Sequence, residues 1–212
     1  KNFFLSFLFS CIIKIILNFD KSFVIVQNKD DYYYFLNKLN VQKNKIKIIK
    51  GSGVDINKFA NCKKNKKKII LFAARLLLNK GIIEFIEAAK IIRKNFKDWL
   101  FVIAGSSDYI SPELINKTLL ENAVMNKHIK YIGYVPQDKM PTLLSKSSIV
   151  CLPSYREGMP MVLQEAAAAG LPIVTTDVVG CRESIINNKT GFLVEPKNVD
   201  NLVEKLTLLI KS

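Results

Sequence analysis

The chain has 212 residues, 49% of them hydrophobic and 24% charged, proportions of a globular protein that exclude the fibrous and disordered classes. That length buries a substantial core without disulfides and fits one large domain or one and a half ordinary ones. Its 32 Lys+Arg against 18 Asp+Glu give a net charge of +14, which points to an anionic partner: nucleic acid, an anionic membrane or a phosphate-bearing substrate.

Residues 3–17 (FFLSFLFSCIIKIIL) are strongly apolar, but Lys14 interrupts the run, which falls short of the about 20 apolar residues a membrane span needs. No small-residue cleavage site follows, so a buried or interfacial helix over 2–18 is expected. The chain then alternates apolar runs with helical patterns. Strands are expected at 22–27, 46–49, 68–73, 99–104, 130–132, 148–152, 172–175 and 191–194, and helices at 30–39, 80–95, 111–126, 137–146, 161–169 and 198–210. Runs this continuously apolar are covered on both faces, so the fold class is α/β, a doubly wound parallel sheet whose ligand crevice lies at the carboxyl ends of its strands. The stretch 51–67 has two glycines, no apolar period and a Lys cluster. It reads as a linker with a boundary near 60–66, so that 1–60 is the closing piece of a preceding α/β domain and 61–212 is one complete domain. Cys11, Cys62, Cys151 and Cys181 have no CxxC spacing and His128 is the only histidine, which argues for a reducing compartment and against a zinc site.

Only Arg75, Arg93, Arg156 and Arg182 among the 32 basic residues are arginines. Arg is the residue suited to bidentate phosphate recognition, so each carries more information than any Lys. The densest constellation is 151–183. After the strand comes a loop with Arg156, Glu157, Gly158 and Pro160, then a helix starting near Met161. Such a helix start offers unpaired N–H groups and a positive dipole end to an anion. Glu165 lies eight residues beyond Glu157, on roughly the same side of the helix, and a carboxylate suits the vicinal hydroxyls of a sugar. A second constellation, Arg75 after one strand and Lys80 at the start of the next helix, forms a candidate diphosphate clamp. Gly105-Ser106-Ser107 makes a third, weaker strand-end turn.

Arg75 with Lys80-Gly81, Glu157-Gly158-Met159-Pro160, Glu165, Gly51-Ser52-Gly53-Val54-Asp55 with Phe59, and Thr190-Gly191-Phe192-Leu193-Val194 together resemble the retaining glycosyltransferases of family 4, which have the GT-B fold. The match runs from about residue 20 to the end. The resemblance implies a UDP- or GDP-sugar donor, transfer of a hexose or N-acetylhexosamine with retention, and neither a metal nor any other cofactor. By position it implies that Arg75 and Lys80 neutralise the diphosphate and the charge developing on the leaving nucleotide. Glu157, with the backbone of Gly158, Met159 and Pro160, contacts donor hydroxyls. The amides of Met161 and Val162 reach phosphate, Glu165 binds the ribose hydroxyls, and the nucleobase lies near Tyr134 and Val135. Ala74 stands where the family usually has Gly. The Gln27–Asp31 and Gly51–Asp55 segments are similar to the subgroup that builds bacterial surface polysaccharides on lipid-linked acceptors. An enzyme of this kind is expected in the cytoplasm, peripheral on the inner membrane face. The acceptor domain, with its glycine-rich loop and catalytic histidine, is missing, so a fragment inactive by itself is expected, and His128 is read as structural. Two rivals remain at this stage: a sugar-nucleotide epimerase of similar fold, and a basic nucleic-acid-binding module. The second predicts Lys interleaved with aromatics on one face, whereas here the Lys are scattered and no nucleic-acid partner is expected.

Overall fold

A computed structural model describes residues 3–17, 19, 21–60, 67–107 and 111–212. It divides the chain into two compact units, 1–52 and 53–212. The boundary range 61–66 and Cys62 lie outside the described residues.

The smaller unit consists of helix α1 (Phe3–Leu17), strand β1 (Val24–Val26), helix α2 (Lys29–Tyr33) and strand β2 (Ile46–Ile48). The two strands pair in parallel with Val24 opposite Ile46. Leu17, Val26, Leu39, Val41 and Ile46 form a small core, and Lys45 Nζ donates to the carbonyl of Leu17 at 2.7 Å, tying the end of α1 down. Ile13 packs against this core, while Phe7, Phe9 and Ile15 of α1 are all more than 60% exposed. The helix expected at 30–39 starts where Asn28 caps it, its Oδ1 accepting from the Asp31 amide at 2.8 Å, but gives way after Tyr33 to a π-helical turn, Tyr34–Lys38. Among the described residues no helix is long and apolar enough to cross a membrane.

The larger unit runs α3 (Ile56–Ala60), β3 (Ile69–Ala73), α4 (Ile82–Ile92), β4 (Leu100–Ala104), α5 (Lys117–Met125), β5 (Lys130–Tyr131), α6 (Met140–Lys146), β6 (Ile149–Leu152), α7 (Met161–Ala168), β7 (Ile173–Thr176), β8 (Gly191–Val194) and α8 (Val199–Lys211). Its six strands are all parallel in the order β5-β4-β3-β6-β7-β8, the doubly wound sheet expected from the apolar runs. Every residue of β6 and β7 is buried, as a sheet covered on both faces requires. Along α4, Ile82, Phe85, Ile86, Ala89 and Ile92 are buried at helical spacing. Phe85 joins Phe72 of β3 and Phe101 of β4 in an aromatic row with ring centroids 5.3 and 5.4 Å apart. The segment 53–60 belongs to this unit, because Phe59 of α3 is buried in its core and Val54 packs against it.

Three helices begin later than the apolar period suggests, each for a local reason. The helix expected from 111 starts at Lys117, where Asn116 Oδ1 caps the Thr118 amide at 2.8 Å. Upstream, a turn at 112–113 leads into an antiparallel bridge of Leu114 with Leu77, the Leu78 amide donating to the Glu113 carbonyl and the Ile115 amide to the Leu76 carbonyl. The helix expected from 137 starts at Met140, with Pro141 in its first turn. The helix expected from 80 starts at Ile82, because Gly81 takes a left-handed φ of 74° that no helix continues through.

Candidate active site

The strand order reverses between β3 and β6, and the crevice outside the carboxyl ends of strands at such a point is where doubly wound folds bind ligands. A cavity of 230 Å³ lies there, lined by Arg75, Gly105, Tyr134, Val135, Gln137, Met161, Val162 and Glu165. Thus five of the expected site residues, Arg75, Val135, Met161, Val162 and Glu165, meet around one space. A larger cavity of 680 Å³ sits by Pro172 and Gly191, at the amino ends of β7 and β8, and its lining is mostly apolar.

The backbone packing that brings Arg75 to the cavity depends on Gly105. A Cβ there would stand 1.9 Å from the Ala74 carbonyl oxygen, so only glycine lets the end of β4 lie against the end of β3. The weak strand-end turn at Gly105 is therefore part of the site. Ala74 itself lines the cavity.

Glu165 is 2% exposed and projects from α7, which begins directly after Pro160 with no side-chain cap on its first amides. Its carboxylate accepts a short hydrogen bond from Gln137 Nε2. Burial raises the Glu165 pKa, opposed by the Gln137 hydrogen bond and by the charge of Lys58. Gln137 was not singled out from the sequence, because its position was assigned to a helix; the later start of α6 leaves it in the turn that faces Glu165. A raised carboxyl pKa means that the folded state holds the proton more tightly than the unfolded chain. Stability therefore falls as pH rises from the unfolded value of about 4.5 through the folded one. Glu165→Gln is expected to melt close to the parent in acid and above it at pH 7. A larger loss of melting temperature at pH 7 than in acid would contradict this assignment of the burial effect.

Lys80 and Glu157 stand together in a separate pair. Lys80 Nζ lies 2.6 Å from Glu157 Oε1, with the two side chains only 14% and 12% exposed. The Ser154 hydroxyl, itself fully buried, donates to the same oxygen at 2.8 Å. Lys80 does not open a helix as expected. It ends a short 3-10 turn, Leu78–Lys80, ahead of Gly81, and the carboxylate it meets in the folded chain is that of Glu157. The two acids likewise do not flank one point: Glu165 lines the cavity, while Glu157 is held beside Lys80, with Gly158, Met159 and Pro160 as the chain between Glu157 and α7.

Further contacts hold the 79–84 and 153–157 segments together. The Tyr155 amide donates to the Asn79 carbonyl at 2.9 Å, and the Tyr155 hydroxyl donates to Glu84 Oε1 at 2.6 Å. Burial, reinforced by that bond to Glu84, pushes the Tyr155 pKa far up, which keeps the hydroxyl a donor. From the other side the Glu157 amide donates to the Val179 carbonyl at 3.2 Å. Gly180 has φ 81°, and a Cβ on it would stand 2.3 Å from the Gly158 carbonyl oxygen.

The remaining expectations resolve simply. Arg182 pairs with Asp177 at 2.8 Å on the surface and Arg156 is exposed. Arg93 donates to the Trp99 carbonyl at 2.6 Å and ties the end of α4 to the start of β4. His128 lies in the turn from α5 to β5. Cys151 and Cys181 are buried free thiols, and burial pushes the second up to about 11, so neither is a nucleophile at neutral pH. Among the described residues no group of three or more His, Cys, Asp and Glu side chains is placed to hold a metal ion.

The fold is that of the GT-B glycosyltransferases, and it superimposes on that of the TarM protein of S. aureus, solved with UDP, with a TM-score of 0.75 at 24% identity over 90% of this chain and 37% of that one. The chain belongs to the family described as glycosyl transferases group 1, whose model matches residues 54–212. It is 31% identical to the N,N'-diacetylbacillosaminyl-diphospho-undecaprenol alpha-1,3-N-acetylgalactosaminyltransferase of Campylobacter jejuni, over 97% of this chain and 55% of that protein. It is 30% identical to the UDP-Gal:alpha-D-GlcNAc-diphosphoundecaprenol alpha-1,3-galactosyltransferase of Escherichia coli, over 86% of this chain and 50% of that protein. The chain thus spans about half the length of these curated relatives.

Proposed function

We propose that residues 53–212 bind the nucleotide-sugar donor of a retaining hexosyl- or N-acetylhexosaminyltransferase, with a UDP- or GDP-sugar as substrate and a lipid-linked or growing polysaccharide as acceptor. The observation that carries this reading is the convergence of Arg75, Glu165 and the uncapped start of α7 on one cavity, with the buried Lys80–Glu157 pair one loop away. A space of 230 Å³ is below the ~300–1,000 Å³ of sites that enclose a whole drug-sized ligand. It suits the nucleoside end of the donor, with the base against Tyr134 and Val135, the ribose on Glu165, the diphosphate by Arg75 and the amides of Met161 and Val162, and the sugar reaching toward Glu157 and Gly158–Pro160. Positive side chains supply the charge that the leaving diphosphate needs, so the reading requires no metal. Acceptors of the named relatives are diphospho-undecaprenols. The net charge of +14 and the exposed apolar side chains of α1 support a peripheral position on an anionic cytoplasmic membrane face.

Calorimetric titration of the chain with UDP, GDP and a DNA oligonucleotide tests the donor reading. One of the two nucleotides is expected to bind, and Arg75→Ala and Glu165→Ala each to weaken it at least about tenfold, the loss of one charge-assisted hydrogen bond or more. Binding of DNA alone, or nucleotide binding indifferent to both substitutions, would sink it.

A further inference from the structure

We infer that Glu157 is the resident counter-ion of Lys80, and that it selects against a terminal phosphate and so speeds departure of the spent nucleotide. This deepens the donor reading above and rests on it. The pair is desolvated, at 14% and 12% exposure, and close, at 2.6 Å. Both contacts to the carboxylate, from Lys80 and from the Ser154 hydroxyl, fall on Oε1. The carboxylate is therefore fixed in place on one oxygen, while its charge stays at the site.

The pair is not needed to hold its two segments together. The Tyr155 amide on the Asn79 carbonyl, the Tyr155 hydroxyl on Glu84, and the close packing of Gly81 on the Pro153 carbonyl already do that. A buried ion pair that is structurally redundant is free to serve a charge-balancing role. Glycosyl transfer breaks the bond between the anomeric carbon and the terminal phosphate oxygen, and the electron pair stays on that oxygen. The acceptor oxygen forms the new bond to carbon, and its proton ends in solvent. The nucleotide therefore leaves with one more negative charge on its terminal phosphate than the donor carried there. Before transfer, that oxygen is esterified and Lys80 serves Glu157 and the diphosphate together. After transfer, the terminal phosphate competes with Glu157 for Lys80 and is repelled by the same carboxylate. Lys is a compact point charge with three donors, so it accommodates the ester form better than two full anions.

The test measures affinities of the 212-residue chain for UDP, GDP, UMP and GMP, in the parent and in Glu157→Gln. For whichever diphosphate the parent binds, Glu157→Gln is expected to tighten binding about tenfold, within the ~5–150-fold range usual for coupling between two bound groups. The corresponding monophosphate, which places no phosphate at that point, should change less than about twofold on the same scale. Because Gln leaves Lys80 without its counter-ion, Glu157→Ser, which makes room for water, is measured alongside in case the first variant does not fold. Parent binding with unchanged or weaker diphosphate affinity in a folded variant overturns the counter-ion role while leaving the donor reading intact. Failure of the parent to bind either diphosphate overturns both.

Discussion

Lys80→Ala is expected to lower the melting temperature by about 6–20 °C, the equivalent of about 3–5 kcal/mol in a chain of this size, and to abolish nucleotide diphosphate binding. The magnitude follows from the asymmetry of buried ion pairs. Lys80 and Glu157 are 14% and 12% exposed and 2.6 Å apart, so removing one partner strands the other charge out of water with only the Ser154 hydroxyl as company. Two further variants separate fold from function. Lys80→Met combined with Glu157→Met replaces the pair by apolar side chains of similar volume, which is commonly neutral or stabilising at buried sites. The double variant should recover most of the lost melting temperature without recovering nucleotide binding. If it melts as low as Lys80→Ala, the destabilisation does not come from an unpaired charge. If Lys80→Ala melts with the parent, the pair is solvated in solution and the electrostatic account of the site falls.

Gly81→Ala should be nearly as damaging, by about 2–5 kcal/mol, through the backbone and not through charge. Gly81 has φ 74°, and a Cβ on it would stand 2.0 Å from the Pro153 carbonyl oxygen. Backbone on both sides of that contact is anchored: Pro153 continues fully buried β6, and Gly81 starts α4. Neither can swing away as a flexible side chain would. Relief must come from the 153–157 loop, which carries Ser154, Tyr155 and Glu157, so donor binding is expected to fall with stability. Gly133→Ala is the matched control, because Gly133 has φ 73° with nothing within 4 Å of its missing Cβ. It isolates the left-handed strain, about 1–2 kcal/mol. Equal melting temperatures for the two variants would show that the Pro153 contact adds nothing.

The sheet was legible because its evidence is local. Uninterrupted apolar runs such as 69–73 and 149–152 state their own burial on both faces, and the glycines and prolines between them mark the turns. The positions of Arg75, Glu157 and Glu165 were legible for a different reason: the order of strand, loop and helix places the first just after β3, the second in the loop ahead of α7 and the third within α7. The partners of those residues were not. Ser154 and Gln137 are ordinary polar residues in sequence, and only the register of β6 and the late start of α6 turn one onto Glu157 and the other onto Glu165. The same limit explains Lys80. Its apolar successors Ile82, Ile83 and Phe85 suggest a helix from residue 80, yet the left-handed Gly81 interposes a break that depends on the neighbouring β6 loop. The Arg93 contact to the Trp99 carbonyl was hidden in a helix end that reads as solvated surface.

The two-stranded parallel sheet of residues 1–52 has a consequence for biosynthesis. Strands β1 and β2 have no third partner among the described residues, and Ile25 and Ile48 lie exposed on them. The cores of the two units share no residue. Expressed by itself, this stretch presents open strand edges and apolar surface, the conditions that recruit chaperones and seed strand-to-strand aggregation. The second brings a sheet of six strands and its own helical cover, so it matures on its own schedule. A gene shortened to residues 53–212 is the form to express for soluble yield, and the point of exchange between relatives is the Ser52–Gly53 junction.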